Sequence, residues 1–403
     1  MVAIGDLYAF AGLLQAVASR SLVPRADPDN VVLVPGLKSD MKKGDVPAQW
    51  AEGYPKKWDF EDFYLQFNKP EPGDRFSGIV TENEKHLVMF NGSHATFVDL
   101  DTNTTVTTFG LEITDNIIVG GLSVRSNPQG GYDLFTDTPA VVFRRRVGSD
   151  FKLIGGVSSY PTGAIGDFDK NGRMATLDGI IYDLNNPDVD NVTFKNPPRI
   201  TGMSFSGDAK YISTIGWEDK SADLWNATSG EKILQFPPTN AQNWVTKISP
   251  NNKHVAIGLG TGFIQIYSLA NLTAEPKVLG PFNSWIRAME WSPDSKWFAT
   301  PDYGRVQLWK FPEGEHVQTW EVDGFPGLEL RMPTGLCWLD NGNKISWMYR
   351  DGRYMYDFEQ NLKWWWTLGL DDHSWGGGGV QFLKNRGYVA TADGDSLMRF
   401  WKI

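Results

Sequence analysis

Short apolar runs recur along the chain from about residue 75, separated by compact polar clusters. The unit is an apolar run, a polar turn and a second apolar run. A third run then ends in an aromatic residue or a Tyr-Asp pair. The polar turns read Ser206-Gly-Asp-Ala-Lys210, Ser249-Pro-Asn-Asn-Lys253 and Ser292-Pro-Asp-Ser-Lys296. Looser copies stand at Asp169-Lys-Asn-Gly-Arg173, Asp340-Asn-Gly-Asn-Lys344 and Lys384-Asn-Arg-Gly387. Each is rich in residues that tolerate the backbone angles of a tight hairpin, so each predicts two antiparallel strands. The third runs include Ile180-Ile-Tyr-Asp183, Ala222-Asp-Leu-Trp225, Ile264-Gln-Ile-Tyr267, Val306-Gln-Leu-Trp309, Tyr354-Met-Tyr-Asp357 and Met398-Arg-Phe-Trp401, with Ala95-Thr-Phe-Val-Asp99 near the start. The period is roughly 40 residues.

That period is the length of a four-stranded propeller blade. The expected fold is therefore all-β, a single β-propeller. Strand sets begin near Phe76, Asn116, Pro161, Arg199, Trp244, Trp285, Thr334 and Trp375, which gives eight blades, with seven as the alternative count. The last set has only three strands, over 377–382, 387–392 and 397–403. An open blade would expose a strand edge, so the strand-like residues 63–67 are expected to fill the fourth place and close the ring. The expected division is a signal peptide over 1–18, a lead-in over 19–59 and the propeller over 60–403.

The segment Ser221-Ala-Asp-Leu-Trp-Asn-Ala-Thr-Ser-Gly-Glu231 is similar to the third-strand Trp and following turn of the WD-repeat family. The chain as a whole resembles secreted, degenerate WD-type propellers over about residues 75–403. No Gly-His dipeptide occurs, and Trp-Asp occurs only at Trp58, outside the repeats. The family's His/Asp/Ser/Trp hydrogen-bond network is thus mostly missing. The resemblance implies a fold and leaves the activity open.

Composition fits this picture: 42 Gly, 23 Pro and 13% aromatics suit many strands joined by tight turns. The net charge of −10 argues against nucleic acid, which needs concentrated Lys and Arg. The one basic run, Arg144-Arg145-Arg146, lies in a strand-like stretch, where it is expected to alternate between solvent and an ion-pair partner. Cys337 is the single cysteine, so no intramolecular disulfide forms, and its apolar strand suggests a buried, inert thiol. Residues 7–18 read as an uncharged signal-peptide core ending in a small-x-small site, too short to span a bilayer. Five glycosylation sequons follow, at Asn91, Asn103, Asn191, Asn226 and Asn271. All but Asn91 fall between third and fourth strands, which predicts glycans crowded on one face of a secreted, extracellular monomer.

Candidate chemistry is sparse. Asp167-Phe-Asp-Lys-Asn-Gly172 with Asp178 matches calcium-loop positions, but it coincides with a hairpin turn, and the turn is the preferred reading. The five histidines share no metal-ligand spacing, so no metal is expected. No cofactor is expected either, since no P-loop, dinucleotide fingerprint or nucleophile elbow occurs. Trp364-Trp365-Trp366 is expected to pack between blades, with an exposed binding strip as the alternative.

Two functions remain. One is a binding protein for a small molecule, glycan or protein at the face around the central channel. The other is a propeller enzyme, a hydrolase, lyase or isomerase, at the same mouth. For the enzyme, the loops over 217–220 and 369–375 bring carboxylates and His373 toward one rim. For binding, Tyr160, Arg199, Trp244, Trp285 and Trp375, with Arg287 and Arg331 close by, are expected to ring the channel mouth opposite the glycans. Flat aromatic faces and planar guanidinium forks suit a sugar-like or aromatic, anionic ligand. Some of the three Trp are alternatively expected to point between blades as core.

Overall fold

The computed structural model describes residues 41–57, 61–66, 77–91, 94–110, 122–128, 130–138, 140–161, 163–239, 241–282, 284–302, 305–321, 335–349, 352–367, 380–393 and 397–403. They form an eight-bladed, all-β propeller. Blades one to eight occupy 77–110, 122–160, 165–193, 202–235, 243–279, 290–321, 335–367 and 380–402. Each is an antiparallel meander whose first strand is innermost. The strand sets start within a few residues of the predicted positions. Phe76, Asn116, Thr334 and Trp375 themselves lie outside the described residues, as do the signal-peptide residues 1–18.

The hairpin between the first and second strands explains the polar turns. Each of these turns contains a left-handed residue: Glu84, Gly130, Gly172, Ala209, Asn252, Ser295 and Gly387 in seven blades, and Asp340, Asn341 and Gly342 in succession in blade seven. In blades four to six the leading serine locks the turn. The Ser206 hydroxyl accepts from the Lys210 and Tyr211 amides at 3.1 and 2.9 Å and donates to Asp208. Ser249 and Ser292 repeat the pattern with Asn251 and Asp294. A short polar side chain thus replaces water on turn amides that would otherwise be unsatisfied.

Closure uses the N-terminal segment. Phe63–Gln66 pairs antiparallel with Leu397–Lys402 as the outermost strand of blade eight. Phe63 stacks on Phe400, and the Lys402 amide donates to Asp62 at 2.7 Å. The buried Arg399 faces Glu61 at 3.7 Å. The lead-in reaches further: Gln49–Trp50 and Lys56–Lys57 run parallel to Leu362–Thr367, the outermost strand of blade seven. That strand carries Trp364, Trp365 and Trp366, all buried. Tyr54 covers Trp366 edge-on at 5.6 Å. The three indoles are therefore packing residues.

Apolar clusters fill the interfaces between neighbouring blades. Blade eight contributes Trp401 to one of them, beside Trp366 and Met355 of blade seven. Fully burying a side chain of this kind contributes about 1.5–3 kcal/mol. Among the described residues, Trp225 and Trp401 donate their indole N–H to Thr214 and Thr391 at 2.8 and 3.2 Å. The basic run behaves differently from its expected alternation. Arg144 and Arg145 are both buried, and Arg144 pairs with buried Asp133. Only Arg146 is partly exposed, 3.5 Å from the same carboxylate.

Candidate binding site at the tryptophan rim

The propeller has two rims, and the site lies on the one formed by second-to-third and fourth-to-first strand connections. In blade four, Gly216 opens the tight connection over 216–221, where its amide donates to Ser221 O. A side chain at Gly216 would collide with Asp219 and Ser221. The connection holds Trp217 at the rim. Asn243, the first residue of blade five and 1% exposed, donates to the Lys220 and Ser221 carbonyls at 2.9 and 2.8 Å. It clamps the blade-four turn against the blade-five entry, which puts Trp244 beside Trp217.

The Trp217 and Trp244 rings meet edge-on at 4.5 Å. Trp244 lies against Gly260, where a Cβ would come within 2.8 Å of the indole nitrogen. The segment entering blade six crosses the same rim, held where the Ile286 amide donates to Leu259 O at 3.3 Å. It stacks Trp285 on Trp244 at 5.0 Å and 16°. The Arg287 guanidinium sits 5.0 Å from the centroid of each ring. Trp285 is 44% exposed, so part of its indole is open to solvent beside the cation. Burial alone pushes the Arg287 pKa below the ordinary arginine value. At the outer margin, exposed Arg199 pairs with Glu218 at 2.8 Å.

Four residues proposed from sequence therefore share this rim: Arg199, Trp244, Trp285 and Arg287. Tyr160 does not join them. It ends the outermost strand of blade two and packs edge-on against Tyr182 at 4.9 Å. Arg331 and Trp375 lie outside the described residues, as do Asp371, Asp372 and His373. Trp217 and Asn243 were the missed partners. The signal for Asn243 is its place immediately before Trp244, at a blade entry.

A second constellation lines the innermost strands, two positions before each hairpin turn: Ile79, Arg125, Asp167, Ser204, Lys247, Glu290, Cys337 and Gln381. Several of these side chains bond to the next blade. Asp167 accepts from the Phe205 amide at 2.7 Å, Ser204 from the Ile248 amide at 3.2 Å, and Gln381 from the Val80 amide at 2.6 Å. Lys247 pairs with Glu290 at 2.5 Å. Burial raises the pKa of Asp167 and of Glu290, against the lowering effect of nearby charges and hydrogen bonds. Burial also pushes the Cys337 thiol up to about 11, which keeps it a poor nucleophile at neutral pH.

The calcium-like loop is a hairpin. Asp169 accepts from Asn171 and Arg173 amides inside the turn, while Asp178 turns away to the Gly163 amide at 2.6 Å. Among the described residues, no group of three His, Cys, Asp or Glu gathers to hold a metal. Nor is any helix among them long and apolar enough to cross a membrane.

The ring of blades and the hairpin turns make this an eight-bladed β-propeller, and its repeats are similar to those of the WD-repeat family. The family described as WD domain, G-beta repeat, matches residues 276–310. Over 177 residues the chain is 27% identical to the 66 kDa stress protein of Physarum polycephalum, covering 43% of this chain and 28% of that one. Over 108 residues it is 25% identical to Protein hir1 of Schizosaccharomyces pombe, covering 26% and 12%. These matches span well under a third of either relative. Among solved structures, the computationally designed Ika8 protein aligns over 82% of this chain and 97% of its own, with a TM-score of 0.61 and 14% identity. A chain of a mitotic checkpoint complex aligns over 93% and 99%, with a TM-score of 0.50 and 12% identity. Likenesses at that identity concern the fold alone.

Proposed function

We propose that this propeller is a binding protein whose ligand docks on the rim built by Trp217, Trp244, Trp285 and Arg287. One observation carries the reading: three indoles and a guanidinium from three consecutive blades converge, and Trp285 keeps 44% of its surface in solvent. Large aromatic side chains beside an arginine are the usual energetic anchors of recognition surfaces. The fold supports a scaffold for ligand or protein binding. Catalysis is less well supported, because Asp167 and Glu290 are committed to neighbouring strands by a backbone hydrogen bond and an ion pair.

The proposal includes export and glycosylation on the opposite rim. Asn103, Asn191, Asn226 and Asn271 fall between third and fourth strands, or end the third. Those connections lie on the face away from the tryptophans, and Asn103, Asn191 and Asn271 are exposed. Glycans there would leave the tryptophan rim uncovered.

The deciding experiment is a melting-temperature screen of small acids, oligosaccharides and peptides on the secreted protein. Hits are then repeated on Trp285→Ala, with mass spectrometry of the sequons in parallel. A ligand lost in the variant while the melting temperature is kept supports the reading. Hits that Trp285→Ala leaves unchanged place the site elsewhere, and bare sequons with an intact residue 1 remove the export proposal.

A further inference from the structure

We infer that Arg287 is an anion receptor, and that the rim takes a carboxylate carried on a flat ring, as in an aryl carboxylate or a sugar acid. The inference deepens the rim reading and rests on it. Four other arginines have a carboxylate partner: Arg144 has Asp133, Arg173 has Asp169, Arg199 has Glu218, and Arg386 has Asp101. Arg287 has neither ion pair nor hydrogen bond among the described residues, and its Nε is buried without an acceptor.

Ring contact does not replace that acceptor. Two indoles at 5.0 Å attract the charge through their quadrupoles. They offer no lone pairs to the N–H groups, so the donors keep their need for an acceptor. A carboxylate would meet the Nη groups of Arg287, which are not enclosed as its Nε is, through charge-assisted hydrogen bonds, and the guanidinium fork matches it with two parallel bonds.

The ring requirement comes from Trp285. Its indole is already stacked on Trp244 on one side, so the ligand meets the remaining exposed surface. An exposed indole favours a partner with a flat apolar face, either an aromatic ring or the C–H face of a sugar. A ligand satisfying both neighbours must hold a carboxylate on or directly beside such a ring. Simple inorganic anions would meet only the arginine.

The test uses four probes on the full chain, read by calorimetry and by quenching of tryptophan fluorescence. Indole-3-carboxylate and glucuronate carry the acid, and indole and glucose are their neutral counterparts. At least one acid should bind tenfold or more tightly than its neutral partner. Arg287→Gln should erase that preference, so that acid and neutral partner bind within about twofold of each other, while leaving the far-UV circular dichroism unchanged. Arg287→Lys should restore part of it, since the charge returns without the fork. Binding by one acid alone identifies an aryl or a sugar source, and binding by both identifies the shared chemistry. Equal affinity for acid and neutral forms, a preference that survives Arg287→Gln, or no saturable binding by either acid overturns the inference. The rim reading is judged separately, by the effect of Trp285→Ala on hits from the wider screen.

Discussion

Phe63 and Phe400 lie face to face, 4.3 Å apart and 6° from parallel, across the seam that closes the ring. One ring comes from the N-terminal strand and the other from the last strand of the chain. Phe63→Ala is expected to cost about 2–3 kcal/mol, below the roughly 3–5 of a fully buried Phe because Phe63 is only partly buried. Denaturant unfolding checks this. Deleting residues 61–66 should cost far more, since it also uncovers a strand edge.

The hairpin turns predict a stabilising substitution. Ala209 and Ser295 take φ values of 62° and 60°, in the left-handed region that costs side-chain-bearing residues about 1–2 kcal/mol. Glycine relieves that strain but adds freedom to the unfolded chain. Ala209→Gly should gain about 0.5–1 kcal/mol. Ser295→Gly should gain nothing net, because it also removes the hydroxyl that accepts from the Asn251 amide at 3.0 Å. Asn252→Gly should lose about 0.5–1.5 kcal/mol, because the Asn252 side-chain oxygen accepts from the Asp208 amide at 3.1 Å and little strain is relieved in return. Melting curves of the three variants decide it.

Acid should weaken the seam between blades seven and eight. Asp340 accepts from Lys384 at 2.8 Å and from Lys344 at 3.2 Å. The Lys384 ammonium, helped by Lys344 and opposed by burial, holds its carboxyl below the usual range. Because the folded value is depressed, the contribution is present above the unfolded pKa of about 3.9. It is lost as pH falls through the folded value. Asp340→Asn should lose about 1 kcal/mol at pH 7, after discounting for solvent. Parent and variant should converge in denaturation curves as pH falls below the ordinary carboxylate range and through that depressed value.

Lys247→Met should behave in the opposite sense. It removes the ammonium that offsets burial of Glu290, so that already raised pKa climbs further. Ionised Glu290 then penalises the folded state above its own pKa. The deficit relative to parent should therefore grow from pH 5 to pH 8. Its size should fall between the roughly 0–1 kcal/mol of an exposed pair and the 3–5 of a buried one. A deficit independent of pH would show that lost packing, not charge, is responsible.

The hairpins, blade count and closing strand were legible because each rests on local chemistry: turn residues, a fixed period and an unfilled strand place. Trp244, Trp285 and Arg287 were legible because blade entries must lie on one rim. Tyr160 was misplaced to a blade entry because residues 148–157 form a long connection before the last strand of blade two, Ser158–Tyr160. The lead-in strands on blade seven were hidden for another reason. Gln49–Trp50 and Lys56–Lys57 are two residues each, too short to carry any periodicity. The charged level of Arg125, Asp167, Lys247 and Glu290 emerges only after all eight hairpins are put in register.

The closing strand also sets an order of events. Asp62 and Lys402 are 340 residues apart, yet their bond belongs to the last sheet to be completed. At synthesis rates of about 5–20 residues per second, the N-terminal strand waits roughly 17–70 s for its partner. Throughout that interval the growing ring has two unpaired borders, one at each end of the nascent arc. A strand made before any other strand of the eight blades is thus the last of them to be used. Quality control of this protein should be decided on the ribosome or just after it, before the arc becomes a circle.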